Sequence, residues 1–192
     1  SGLGFRKNLL SFHDHNERQR LPRILGELED GKVIALVSDA GTPVLCDPGF
    51  PLVREAIARG FTVEAIPGPS ALLTALVVSG LPPLPFTFVG FPPRKKGRRR
   101  PFCGNLAPLR HTRVLYESPH RLLASLGDAV GILGGRPAAI GRELTKLHEE
   151  VVRGKLSELK AEFEGRPSLK GEFVVLVGPP GPSQASVKEA KA

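Results

Sequence analysis

The spacing of apolar residues changes period repeatedly along the chain. Leu21, Ile24, Leu25 and Leu28 recur at i, i+3, i+4 and i+7, one face of a helix, and Gly31 stops the run. Val33–Val37 is a short unbroken apolar stretch, the mark of a strand buried on both faces. Leu52, Val53, Ala56 and Ile57 return to helical spacing, closed by Gly60. Leu9–Phe12 and Phe61–Ile66 read as further strands, and Ser70 as the N-cap of a helix over 71–79. Strand and helix therefore alternate, which predicts an α/β fold with a mainly parallel sheet in this first part.

Leu81-Pro82-Pro83-Leu84-Pro85 breaks every pattern and reads as a domain linker. Beyond it, 86–89, 113–116, 138–140, 151–152 and 173–177 read as strands. Ser118-Pro119 reads as a cap and first position of a helix through Val130, and Ser157 as the cap of another over 158–163. Some of these strands follow one another without a helix between them, so a mixed sheet is expected in the second part. The predicted organisation is an N-terminal α/β domain over 1–81, a C-terminal α/β domain over 82–178, and a disordered Pro/Ser/Lys-rich tail over 179–192.

Composition adds three constraints. Hydrophobic residues make up 41% of 192, which fits a folded chain. No run is long and apolar enough for a membrane span, and no secretory signal opens the chain. Two cysteines, Cys46 and Cys103, make no disulfide framework, so a reduced, cytoplasmic setting is expected. The chain contains no Met, which raises the expectation that it begins inside a longer protein.

Charge is more specific. Lys+Arg outnumber Asp+Glu by 27 to 19, a formal balance of +8. Six of those cations, Arg94, Lys95, Lys96, Arg98, Arg99 and Arg100, crowd one seven-residue run, and without them the balance is +2. The run follows Phe88–Pro93 and reads as a basic loop suited to phosphate. If all six met phosphates, affinity should fall with a log–log salt slope of about −4 to −5.

Two Gly/Pro-rich turns carry the candidate chemistry. Ser38-Asp39-Ala40-Gly41-Thr42-Pro43 follows the buried run directly, and Asp47-Pro48-Gly49 leads into the next helix. Ile66-Pro67-Gly68-Pro69-Ser70-Ala71 again joins a strand end to a helix start. Small residues at such points let backbone N–H groups approach a ligand. Neither turn is a dinucleotide fingerprint or a Walker A loop. A dense polar cluster, Arg142-Glu143-Leu144-Thr145-Lys146, lies at a strand end, and His120-Arg121 follows a candidate cap. His13, Asp14, His15, Glu117, Glu143 and His148 are open candidates for a base. His13 and His15 lack further ligands at metal spacing, so no metal site is expected. Cys103, beside the basic run, is a candidate reactive thiol.

These segments, taken in order, resemble the tetrapyrrole-methylase superfamily. With His13–Glu17, Tyr116–Arg121, Arg142–Lys146 and Lys170-Gly171-Glu172 they are similar to its branch that methylates a cytidine ribose 2′-hydroxyl in small-subunit ribosomal RNA. The resemblance spans roughly 9–178. It implies two α/β domains with S-adenosylmethionine in the cleft between them, ribosomal RNA or the small subunit as partner, and a homodimer. It makes Asp39, Ala40, Gly41, Thr42, Pro43, Gly68, Pro69, Ser70 and Ala71 cofactor-binding residues. Arg142, Glu143, Lys146 and His15 are the catalytic candidates. The six clustered cations and Arg121 are the RNA-binding candidates. The family's opening strand, its Gly-Asn-Leu loop and a Cys-Glu-Asp-Thr-Arg segment have no counterpart ahead of Leu9, so the first two βα units are expected to be missing. Two other readings stay open: a methylase of a tetrapyrrole-type small molecule, and an RNA-binding module without enzymatic activity.

Overall fold

The computed structural model describes residues 8–180. Contacts divide the chain into two compact units, Ser1–Pro69 and Ser70–Ala192.

The first unit is built on two helices, α1 (Glu17–Glu29) and α2 (Phe50–Ala58). The apolar stripe of α1 forms as the spacing predicts. Ile24 and Leu25 are buried against Leu52 and Ala56 of α2, with Leu10, Phe12, Leu21, Leu28 and Phe61 around them. Glu17 at the start of α1 accepts a hydrogen bond from the Gly49 N–H at 2.8 Å, just ahead of α2. Gly49 itself has φ 127°, and a Cβ there would lie 2.6 Å from the Leu36 side chain, so only glycine suits the position.

Among the described residues, the parallel sheet expected in this part is not formed. Leu9–Phe12, Val33–Val37 and Phe61–Ile66 carry no strand pairing among the described residues. Val33 is 99% exposed, Val37 76% and Ile66 86%. A strand is stable only against a neighbour that accepts and donates its ladder hydrogen bonds, and no described segment supplies one.

The second unit contains the sheet. It is five-stranded, in the order β1-β2-β5-β3-β4. The strands are β1 (Phe86–Phe88), β2 (Thr112–Glu117), β3 (Pro137–Arg142), β4 (Glu150–Lys155) and β5 (Phe173–Val177). β1 pairs parallel to β2, and all other pairings are antiparallel. The mixed sheet predicted for this part is therefore present. Its helices are α3 (Ala71–Val78), α4 (Lys96–Leu106), α5 (Leu122–Leu133) and α6 (Leu156–Glu164).

β5 shows why its sequence is uniformly apolar. Phe173, Val175 and Val177 join the core formed with Leu122, Leu126 and Leu133 of α5 and Leu156, Leu159 and Phe163 of α6. Val174 and Leu176 face the other way, into a core with Leu72, Ala75 and Leu76 of α3. Both faces of the sheet are covered, so alternation disappears from the sequence. The second of these cores also explains the division at Pro69/Ser70. α3 precedes the proline-rich segment 81–85, yet it packs on the sheet that follows that segment.

Three local expectations change. The basic run is not a loop: from Lys96 it forms the first turns of α4. α5 begins at Leu122 with Arg121 as its N-cap, because Ser118 instead accepts from Arg121 and Leu122 in a preceding turn. α6 begins at Leu156, where the Glu158 carboxylate accepts the Lys155 N–H at 2.8 Å. The expected disordered tail lies, beyond Pro180, outside the described residues.

Candidate functional site

In the first unit the two Gly/Pro-rich turns meet. Thr42 donates from Oγ1 to the Pro69 carbonyl at 3.1 Å, joining positions 27 residues apart in sequence. The Ser38 hydroxyl lies 3.3 Å from the carbonyls of both Ala40 and Gly41 and folds that turn on itself. Gly41 has φ 75° with open space where a Cβ would stand, and Gly68 is equally uncrowded. Asp39, Ala40, Gly41 and Thr42 are exposed, Pro43 half-buried, and Gly68 and Pro69 exposed. A bound group can thus reach the backbone at both turns, which is what the chemistry of a small-residue ligand loop needs. Val44 and Cys46, at φ 73° and 64°, hold a left-handed backbone further along the same loop.

Ser70 and Ala71 stand at the start of α3 in the second unit. Ser70 makes no side-chain cap bond. The Leu72 N–H donates to the Tyr116 hydroxyl at 3.1 Å. One of the free N–H groups expected there is therefore already used within the fold.

The Arg142–Lys146 cluster lies in the β3–β4 connection, and the structure knits it to Lys170–Glu172. β3 and β5 pair with Arg142 opposite Phe173. One step beyond the ladder, the Glu143 N–H donates to the Glu172 carbonyl at 3.0 Å, and Glu143 Oε1 accepts the Glu172 N–H at 2.8 Å. Lys146 Nζ then bridges Glu143 at 3.1 Å and Glu172 at 3.0 Å. Arg142 donates to the Lys170 carbonyl at 2.8 Å. Glu143 and Thr145 have φ 47° and 66°, uncommon values for non-glycine residues. The Glu172 N–H, and secondly the Lys146 ammonium, hold the Glu143 carboxyl below its usual range. The two carboxylates raise the Lys146 pKa, Glu172 more than Glu143. Glu143 is therefore a firmly ionised acceptor, which makes it a weak proton acceptor in the chemical sense.

The remaining base candidates are scattered. His15 stands exposed in the turn before α1, its ring 6.0 Å from that of His13. Glu117 is buried and committed: it accepts from the Ser118 N–H at 2.9 Å, from Arg121 at 2.6 Å and from the Ser125 hydroxyl. Among the described residues no group of three or more His, Cys, Asp or Glu is placed to hold a metal. Cys103 is buried, and burial raises its pKa, so it does not fit a reactive thiol.

α4 sorts the basic run. Arg94, Lys95, Lys96, Arg98 and Arg100 are exposed. Arg99 is not: its side chain is 7% exposed and its Nε donates to Asp128 of α5 at 2.7 Å. It also donates to the Arg94 carbonyl at 3.2 Å, tying down the start of the run. Arg99 is thus an anchor and is unavailable to phosphate, which corrects its place among the RNA-binding candidates. Arg121 is half-buried, paired to Glu117 and donating to the Pro92 carbonyl at 3.3 Å. Asp128 is the residue that reading the sequence missed. The available signal was a lone acid within the apolar stretch Leu-Leu-Ala-Ser-Leu-Gly-Asp-Ala-Val of α5.

A Mycobacterium tuberculosis protein named ribosomal RNA small subunit methyltransferase I is 50% identical over 175 residues, which is 91% of this chain and 61% of that protein. A Thermotoga maritima protein of the same name is 47% identical, covering 90% of this chain and 78% of its own length. This chain thus spans about three fifths of the Mycobacterium relative. The crystal structure of a uroporphyrin-III C-methyl transferase from Thermus thermophilus, complexed with S-adenosyl homocysteine, superposes with a TM-score of 0.54 at 20% identity, covering 83% of this chain and 73% of that one. Residues 5–160 match the sequence model of the tetrapyrrole (corrin/porphyrin) methylases, and the chain belongs to that family.

Proposed function

We propose that this chain acts as an S-adenosylmethionine-dependent methyltransferase that modifies a cytidine ribose 2′-hydroxyl in small-subunit ribosomal RNA. The observation that carries the reading is the Thr42–Pro69 hydrogen bond, which gathers two open glycine turns in a chain whose relatives are named ribosomal RNA methyltransferases. S-adenosylmethionine supplies an activated methyl group when bound, so positioning contributes much of the rate. Asp39, Ala40, Gly41, Thr42 and Pro43 would hold it together with Gly68, Pro69, Ser70 and Ala71. Asp39 offers a carboxylate to an ammonium group, and the glycine backbones offer N–H donors to a carboxylate. Arg142, Glu143 and Lys146 form the ordered polar cluster that would orient the substrate, with His15 as a further candidate.

The exposed cations Arg94, Lys95, Lys96, Arg98 and Arg100 are the phosphate-facing set. Five contacts predict a log–log salt slope of about −3.5 to −4.5. The same reading carries the expectation of a cytoplasmic homodimer acting on ribosomal RNA or on the small subunit. Among the described residues no helix is long and apolar enough to cross a membrane. The test is methyl transfer from labelled S-adenosylmethionine to small-subunit RNA by the protein, followed by alkaline hydrolysis. A 2′-O-methyl group blocks cleavage of the adjoining phosphodiester, so label in an alkali-stable dinucleotide is the expected result. No incorporation, or label confined to mononucleotides, would overturn the proposal.

A further inference from the structure

Phe91 is 49% exposed, in the turn between β1 and α4. Its ring nevertheless has aromatic and cationic neighbours. Tyr116 packs edge-on at 5.7 Å, and Phe88 packs on Tyr116 at 4.8 Å. The Arg121 guanidinium lies over one face of the Phe91 ring, 5.8 Å from its centre, and is itself held by Glu117 and by the Pro92 carbonyl. Pro92 and Pro93 limit the backbone that follows, and the exposed Arg94 and Lys95 come next. A half-exposed aromatic ring, backed on one face by a guanidinium, thus stands just ahead of a cationic run.

From this placement we infer that Phe91 is a stacking platform for an unpaired nucleobase of the RNA substrate. The inference rests on the functional reading above. Single-stranded RNA is recognised by stacking bases on aromatic rings and guanidinium planes while cations follow the backbone. Here the two elements lie side by side. Because the ring is already ordered by Tyr116, stacking on it costs little side-chain entropy.

The chain has no Trp, so Phe91→Trp introduces a single fluorescent reporter at the platform itself. With a short unstructured ribo-oligonucleotide as probe, Phe91→Trp is expected to bind as the parent does and to be quenched on binding. Phe91→Leu is expected to lose about tenfold or more in affinity with its salt slope unchanged, since no cation is removed. If the parent binds and Phe91→Leu binds equally tightly, or bound Phe91→Trp is not quenched, the inference fails alone. If the parent binds small-subunit RNA but not the probe, the inference fails alone; if it neither binds nor methylates that RNA, the functional reading fails and takes this inference with it.

Discussion

Glu143 and Gly171 show how a single residue's geometry decides what its neighbours can do. Gly171 has φ 93°, and a Cβ there would stand 2.5 Å from Glu143 Cγ and 2.7 Å from its Cδ. Gly171→Ala therefore both strains the backbone and expels the Glu143 carboxylate from the Glu172 N–H. We expect a loss of about 1–3 kcal/mol in urea unfolding, with activity falling alongside it. Glu143 also gives a pH dependence with a definite sign. Its folded pKa lies below its ordinary 4.5, chiefly through the Glu172 N–H. The ionised form thus contributes stability that is complete above the ordinary value and is lost as pH falls through the folded one. Melting temperatures taken from about pH 7 to about pH 3 should show Glu143→Gln less stable at the neutral end and converging with the parent in acid. A constant gap would mean that the carboxylate charge contributes nothing. Both polar clusters, Arg142–Lys146 and Lys170–Glu172, were visible in the sequence. Their union was not, because it depends on the β3–β5 register that sets Arg142 opposite Phe173.

At the scale of an element, α4 is the main departure from what the sequence announces. Gly97, Pro101 and Gly104 all argue against a helix. It forms because Arg99, Cys103 and Leu106, at i, i+4 and i+7, are its buried face. The stripe was present in the sequence but hidden, since its first member is an arginine within a cationic run. Asp128 supplies the missing partner, and both side chains are nearly inaccessible, at 7% and 6% exposure. Removing one member of such a pair leaves the other charged and buried. Asp128→Ala should therefore cost about 3–5 kcal/mol of stability, read from denaturant unfolding. Arg98→Ala, on the exposed side, should change stability by less than about 0.5 kcal/mol. It should instead flatten the salt slope of RNA binding by roughly one unit. The opposite ranking would mean that α4 is held by something other than this ion pair.

Across the whole molecule, the part read best was the second unit. There, each strand run found the neighbour that its apolar pattern requires, and β5 is unbroken because both its faces are covered. In the first unit the same kind of run, Val33–Val37, stays unpaired and largely exposed. Periodicity reports which side chains favour burial, but it does not supply the partner strand that makes burial possible. Among the described residues the first unit's core is correspondingly small, four buried residues against clusters of eleven and eight in the second. Local opening follows the number of buried contacts and of shielded backbone hydrogen bonds. Amide hydrogen exchange on this chain should therefore divide along Pro69/Ser70. Amides of β2, β3 and β5 should be the slowest and should report global unfolding. Those of α1 and α2 should exchange faster, by local opening. Amides of 33–37 and 61–66 should exchange fastest among these segments, because no ladder protects them. Strong protection at Val33–Val37 would show that those residues find a strand partner in solution. It would then restore, for the first unit, the sheet that their sequence predicts.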